Sequence, residues 1–135
     1  MRGAKGLFLV SFAIVAGSWL IGVNYYSALP DLIPVHFDLS GQADGWAQKS
    51  FWSVFLLPLV QTLLVLFFWL LSRYPQYSNV SSTIALEALE AEYRERVYAV
   101  IRRMLALICT VLSAVLLYLH VLILRASLTA QPKLQ

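Results

Sequence analysis

The sequence predicts an all-α integral membrane protein: three transmembrane helices, an ordered extracytoplasmic loop between the first two, and a cytoplasmic amphipathic helix running into the third. Three observations predict it. Hydrophobic residues make up 60% of the chain and charged residues 13%, with a mean hydropathy of +0.73, a balance too apolar for an ordinary soluble domain. Residues 6–30, 50–72 and 104–124 contain no Asp, Glu, Lys or Arg, and each run exceeds the roughly 20 residues that cross a hydrocarbon core as a helix. The basic residues are unevenly shared between the two ends of these runs, as the rule for membrane orientation requires.

The first helix is expected near 7–28. It follows "MRGAK", which imitates the basic start of a secretory signal, but the apolar run is too long for one and no small-x-small cleavage site follows. It is therefore expected to stay uncleaved. Ala13 with Gly17, and Ser18 with Gly22, have the small-xxx-small spacing that lets helices approach closely.

Between the first two spans lies "LPDLIPVHFDLSGQADGWAQK", residues 29–49, where a chain apolar elsewhere concentrates its polar groups. From Ile33 to Ser40 the residues alternate, with Ile33, Val35, Phe37 and Leu39 apolar and Pro34, His36, Asp38 and Ser40 between them. A period of two describes an extended segment with one apolar face, and places His36 and Asp38 on the other. "SGQADG" is a turn, in which Gly41 and Gly45 can take positive φ. Trp46 and Trp52 suit the interfacial zone, and Lys49 sits just before the second span.

Imidazole and carboxylate together suit zinc or manganese. His36, Asp38 and Asp44 are the weak metal candidates in the loop, with His120 as a fourth from the third span; the spacing matches no sharp metal motif. The competing reading is a structural network in which Asp38 orients His36, Asp31 and Asp44 cap turns, and Lys49 pairs with an aspartate. No cofactor is expected.

The second span is expected at 51–72, with Pro58 beside the polar Gln61 and Thr62. After "RYPQYSNVSS" comes "TIALEALEAEYRERVYAVIRRM", where Leu86, Leu89, Tyr93, Val97, Val100 and Met104 recur every three or four residues. Ser81 or Ser82 caps this helix, and Glu90–Arg94 and Glu92–Arg96 are i,i+4 pairs in the favourable order. It continues into the third span as one helix from about 83 to 124. Its stripe of Leu86, Leu89, Tyr93 and Val97 is the candidate docking face for a partner. Cys109 is the lone cysteine and lies inside the third span, so it is read as an inert buried thiol. His120, near the far end of that span, is an ionisable group at a depth where a functional role is the default expectation. Residues 1–128 form one membrane domain, and 129–135 a flexible tail.

With the amino terminus in the cytoplasm, Arg2, Lys5, Arg73, Arg94, Arg96, Arg102 and Arg103 lie inside and only Lys49, Arg125 and Lys133 outside. The expected topology is amino terminus in and carboxyl terminus out.

At this point the loop shows a resemblance. Leu29, Pro30, Ile33, Pro34, His36, Phe37, Asp38, Gly41, Asp44 and Lys49 match the pattern of a membrane domain of unknown function, DUF1648, which forms the amino-terminal part of SdpI-type immunity proteins. The resemblance with its flanking spans covers residues 7–72. It implies a multi-pass protein of the bacterial inner membrane, and marks Pro30, Asp31, Pro34, His36, Asp38, Gly41, Asp44 and Lys49 as the loop motif. Immunity proteins of this type protect against a secreted toxic peptide and hold a transcriptional repressor at the membrane. They carry further membrane helices after this domain, whereas this sequence ends at Gln135.

Other classes are poorly matched. There is no phosphate-cradling glycine loop, no nucleophile with a recognisable base motif and no repeat, so no enzymatic activity is expected. The net charge of +3 reflects topology and gives no footprint for direct nucleic-acid binding. No charge lies deep in a span, which speaks against an ion pump or proton relay. Two functional expectations remain. One is a sensory or immunity-type regulator that binds a peptide or a regulatory protein, membrane-bound or cytosolic. The other is an accessory structural subunit of a larger membrane complex.

Overall fold

The structure is a computed structural model that describes residues 2–74 and 91–129. In chain order it comprises α1 (Arg2–Tyr26), β1 (Leu32–Phe37), β2 (Ala43–Gln48), α2 (Phe51–Arg73) and α3 (Ala91–Thr129). All three helices are long and apolar enough to cross a membrane. The spans predicted from the charge-free runs are thus present, with altered ends. Helix α1 begins at Arg2 and stops at Tyr26, and α3 continues through Thr129. The expected helix end at 124 is corrected accordingly, Thr129 is helical, and the remainder of the expected tail lies outside the described residues. Arg125 ends the charge-free run but is itself a good helix former, and the helix runs on through Ser127 and Thr129, whose hydroxyls donate to the carbonyls of Ile123 and Arg125.

The all-α expectation also needs correction. The connection between α1 and α2 contains an antiparallel two-stranded sheet, β1 against β2. Strict alternation along β1 fails. Leu32 pairs with Gln48, Ile33 with Ala47 and Pro34 with Trp46, but the ladder slips between Pro34 and His36 and again between His36 and Phe37. Pro34 has no amide hydrogen to donate, so a bulge at this point is the usual accommodation. As a result Ile33 and Pro34 are both buried although adjacent, and Val35 is 48% exposed.

Two apolar clusters hold the helices together. Phe8, Val15, Val65, Ala106 and Cys109 form one, and Leu29, Ile33, Val54, Phe55 and Leu124 form the other, directly beneath the hairpin. Trp19 packs against both. Helix α3 packs on α1 and α2, and near its carboxyl end also on β1. At about 1.5 Å per residue its 39 residues extend roughly 58 Å, well beyond a hydrocarbon core of about 30 Å. Its charged first turns, with Glu92, Arg94, Glu95 and Arg96, account for part of the excess.

Lipid offers backbone and side-chain polar groups no partners, so those inside the bundle must find them internally. Trp19 donates from Nε1 to the Thr62 hydroxyl (2.9 Å), and Thr62 donates to the carbonyl of Pro58 (2.7 Å). Gln61 donates from Nε2 to the carbonyl of Ser113 (2.7 Å), tying α2 to α3. The hydroxyls of Ser11 and Thr110 lie 3.0 Å apart and tie α1 to α3. The polar residues around Pro58 therefore join helices, and α2 passes through Pro58 without interruption.

Ser81, Ser82, Leu86, Leu89 and Glu90 lie outside the described residues. Of the expected docking stripe the structure describes Tyr93, 55% exposed, and Val97, half-buried. The Glu92–Arg96 pair is present at 2.9 Å.

Candidate functional site: the hairpin between the first two spans

The hairpin is built outward from the end of α1. Pro30 cannot continue a helix, and the last turn closes with the amides of Ala28 and Leu29 on the carbonyl of Tyr25. Lys49 completes this end. Its Nζ donates to the carbonyls of Leu29 (3.0 Å) and Tyr26 (3.3 Å) and lies 5.2 Å from the centre of the Tyr26 ring. A cation at a helix carboxyl terminus is favoured by the helix dipole and by the unsatisfied carbonyls there. Lys49 is thus a cap for α1, and the expected pairing with an aspartate is corrected. Its own amide donates to the carbonyl of Asp31 (2.7 Å), closing the base of the hairpin. One residue later Ser50 starts α2 in a reciprocal capping box with Ser53.

The tip is organised by Asp38. One of its carboxylate oxygens accepts from the Ser40 amide (2.9 Å), the Ser40 hydroxyl (2.6 Å) and the Gln42 amide (2.9 Å). The amide of Asp38 donates to the carbonyl of Gln42, and Gly41 takes φ of 86°. Of the two turn glycines only Gly41 needs the left-handed region. Gly45 serves a different purpose, because a Cβ there would lie 2.8 Å from the Cβ of His36.

His36 meets Asp44, not Asp38. Its Nδ1 is hydrogen-bonded to Oδ1 of Asp44 across the hairpin, with both side chains exposed to solvent. Asp44 is the residue left without a ladder partner at the second irregularity, which brings its carboxylate next to the imidazole. The expected roles of the two aspartates are therefore exchanged: Asp38 caps the turn and Asp44 orients the histidine. Alternation alone could not show this, since cross-strand pairing depends on the register.

The hydroxyl of Ser40, followed by the amide of Gln42, holds the Asp38 carboxyl below its ordinary range. Because the folded form favours the ionised carboxylate, this contribution is present above the ordinary value and is lost as the pH falls through the lowered one. Acidification should therefore loosen the tip. Amide resonances of Ser40 and Gln42 should move together at a pH below the usual aspartate range, and the Asp38→Asn variant should abolish that shared titration.

The metal candidates do not converge. Among the described residues no three His, Cys, Asp or Glu side chains form a group that could hold a metal ion. Asp38 is occupied by the turn, and His120 lies buried in the bundle, 2% exposed. The space above Gly22 is taken by Phe55 and by Nε2 of His120, 2.6 Å and 3.4 Å from where a Cβ would sit. Phe55 in turn stacks on Trp19 and Tyr26 at centroid distances of 5.4 and 6.0 Å. Of the two small-residue pairs, Ser18 and Gly22 thus face the bundle interior. Ala13 is exposed and an added Cβ at Gly17 meets nothing within 4 Å.

The exposed surface of the hairpin is accordingly an acid–imidazole pair set on a scaffold whose other side, Ile33 and Pro34, is anchored in the bundle. An imidazole next to a carboxylate can donate to and accept from a polar partner. Sequence reasoning marked both residues, missed their pairing, and missed the aromatic stack and the Gln61 and Thr62 bonds beneath.

No solved structure matches this chain. It is similar to a protein of Archaeoglobus fulgidus described as uncharacterized, with 29% identity over 84 residues, which are 56% of this chain and 45% of that one. The chain thus spans less than half the length of that relative. Residues 13–62 match the model of the domain of unknown function DUF1648. That match spans the hairpin with the parts of α1 and α2 that carry it.

Proposed function

We propose that this chain is a small regulator of the cytoplasmic membrane whose hairpin recognises a peptide or protein partner, in the manner expected of sensory or immunity-type members of its family. The observation that carries the reading is the His36–Asp44 pair: it is assembled across two strands, exposed, and separate from the contacts that attach the hairpin to the bundle. An exposed pair of this kind adds little to stability, so its side chains are available to a partner. The distribution of basic residues supports an amino terminus in the cytoplasm and the hairpin outside. The apolar stripe reaching Tyr93 and Val97 then offers a docking face for a cytosolic regulator.

The test is chemical cross-linking in intact cells followed by mass spectrometry, with His36→Ala and Asp44→Ala beside the wild type. Both variants should accumulate in the membrane at wild-type levels and lose the captured partner. Disappearance of both from the membrane, or capture unchanged, would contradict the proposal.

A second reading, an accessory subunit of a larger membrane complex, is favoured by the outward Ala13 and Gly17, whose spacing lets another helix approach closely. It predicts recovery in fixed ratio with another integral membrane protein, a ratio that Gly17→Leu should destroy.

A further inference from the structure

At the end of the bundle opposite the hairpin, α1, α2 and α3 enclose an open groove of about 480 Å³. Its apolar floor is made by Phe8, Phe12 and Trp69, and its rim by Lys5, Arg73 and Arg102. The volume lies within the usual ~300–1,000 Å³ of ligand sites. Among the described residues its lining carries these three basic side chains and no acidic one.

The position of the three cations is informative. Lys5 is the last charge before the first apolar run, Arg73 the first after the second, and Arg102 stands beside Arg103, the last before the third. All three therefore sit at one membrane boundary, where a phosphodiester headgroup lies above acyl chains. Two of them are pre-positioned. Arg73 stacks over the Trp69 ring at 4.7 Å, and Arg102 donates from Nε to the carbonyl of Ser72 (3.1 Å). Phe12 meets the same Trp69 edge-on, with centroids 6.4 Å apart. The groove thus joins a cationic rim to an aromatic wall, and basic pockets between transmembrane helices favour anionic lipid headgroups.

We propose that this groove binds one anionic phospholipid, its phosphodiester held by Lys5, Arg73 and Arg102 and an acyl chain lying along Phe8, Phe12 and Trp69. A free phosphate ion shares the headgroup chemistry but leaves the aromatic wall unused.

The purified full chain, offered equal amounts of palmitoyl-oleoyl phosphatidylglycerol and phosphatidylcholine in detergent, can be examined by native mass spectrometry. Retention of phosphatidylglycerol over phosphatidylcholine is expected. Removing a basic side chain should weaken retention about fivefold, so the Lys5→Gln/Arg73→Gln variant should lose roughly 25-fold. The wild-type comparison of the two lipids decides the matter even if the double variant does not fold. Equal retention of both lipids, retention unchanged in a folded double variant, or displacement of the lipid by inorganic phosphate at equal concentration would each overturn the proposal.

Discussion

Replacing Gly22 with alanine is expected to destabilise the bundle by about 1–3 kcal/mol, the range for added volume in a packed core. The new Cβ would lie 2.6 Å from Cε1 and 3.1 Å from Cδ1 of Phe55. That ring has little freedom to retreat. It is stacked between Trp19 and Tyr26, and Phe51 lies against it with centroids 5.2 Å apart. The same added atom also meets Nε2 of His120 at 3.4 Å, and His120 is itself buried. Gly17→Ala is the internal control. An added Cβ there meets nothing within 4 Å, and exchanging glycine for alanine inside a helix is worth about 0.5–1 kcal/mol in the stabilising direction. Reversible unfolding in mixed micelles should therefore move the two variants in opposite directions. Equal stability of the pair would show that Phe55 is not confined as described.

Truncating Ile33 to alanine is expected to release the hairpin and leave the spans in place. Ile33 is 1% exposed and packs in the cluster of Leu29, Val54, Phe55 and Leu124. Losing three buried carbons from such a position costs about 2–5 kcal/mol. A two-stranded hairpin has little stability of its own, so this loss should fall on its docking. Hydrogen exchange in nanodiscs should show amides of residues 32–48 losing protection while those of α1, α2 and α3 keep theirs. Val35→Ala, one bulge away and 48% exposed, should leave the pattern unchanged. Unchanged protection in Ile33→Ala would mean the hairpin is held by something other than this contact.

The three spans were legible in the sequence because their signal is collective. A run without charge long enough to cross a bilayer constrains the chain whatever the detailed packing. The hairpin was legible only in part. Alternation from Ile33 to Ser40 marked an extended segment, and β1 overlaps it from Ile33 to Phe37, but Pro34 interrupts the ladder and two irregularities shift the partners. His36 consequently meets Asp44, eight residues on, instead of Asp38, two residues on. Lys49 was placed correctly at the start of the second span, yet its partners are carbonyls of α1, which no side-chain inventory reveals. His120 stood out in the sequence as an ionisable group near the end of the third span. It lies buried in the bundle, and its Nε2 occupies the space that the missing side chain of Gly22 leaves open.

The proposed recognition surface is the His36–Asp44 face of the hairpin. A photo-activatable side chain at position 35, which is exposed and leaves the pair itself intact, tests it most directly when irradiated in membranes of the native host. A discrete protein or peptide adduct is expected from position 35, lost in the Asp44→Ala background and absent when the probe stands at position 20 on the exposed side of α1. Adducts with lipid alone from position 35, or a protein adduct indifferent to Asp44→Ala, would contradict it.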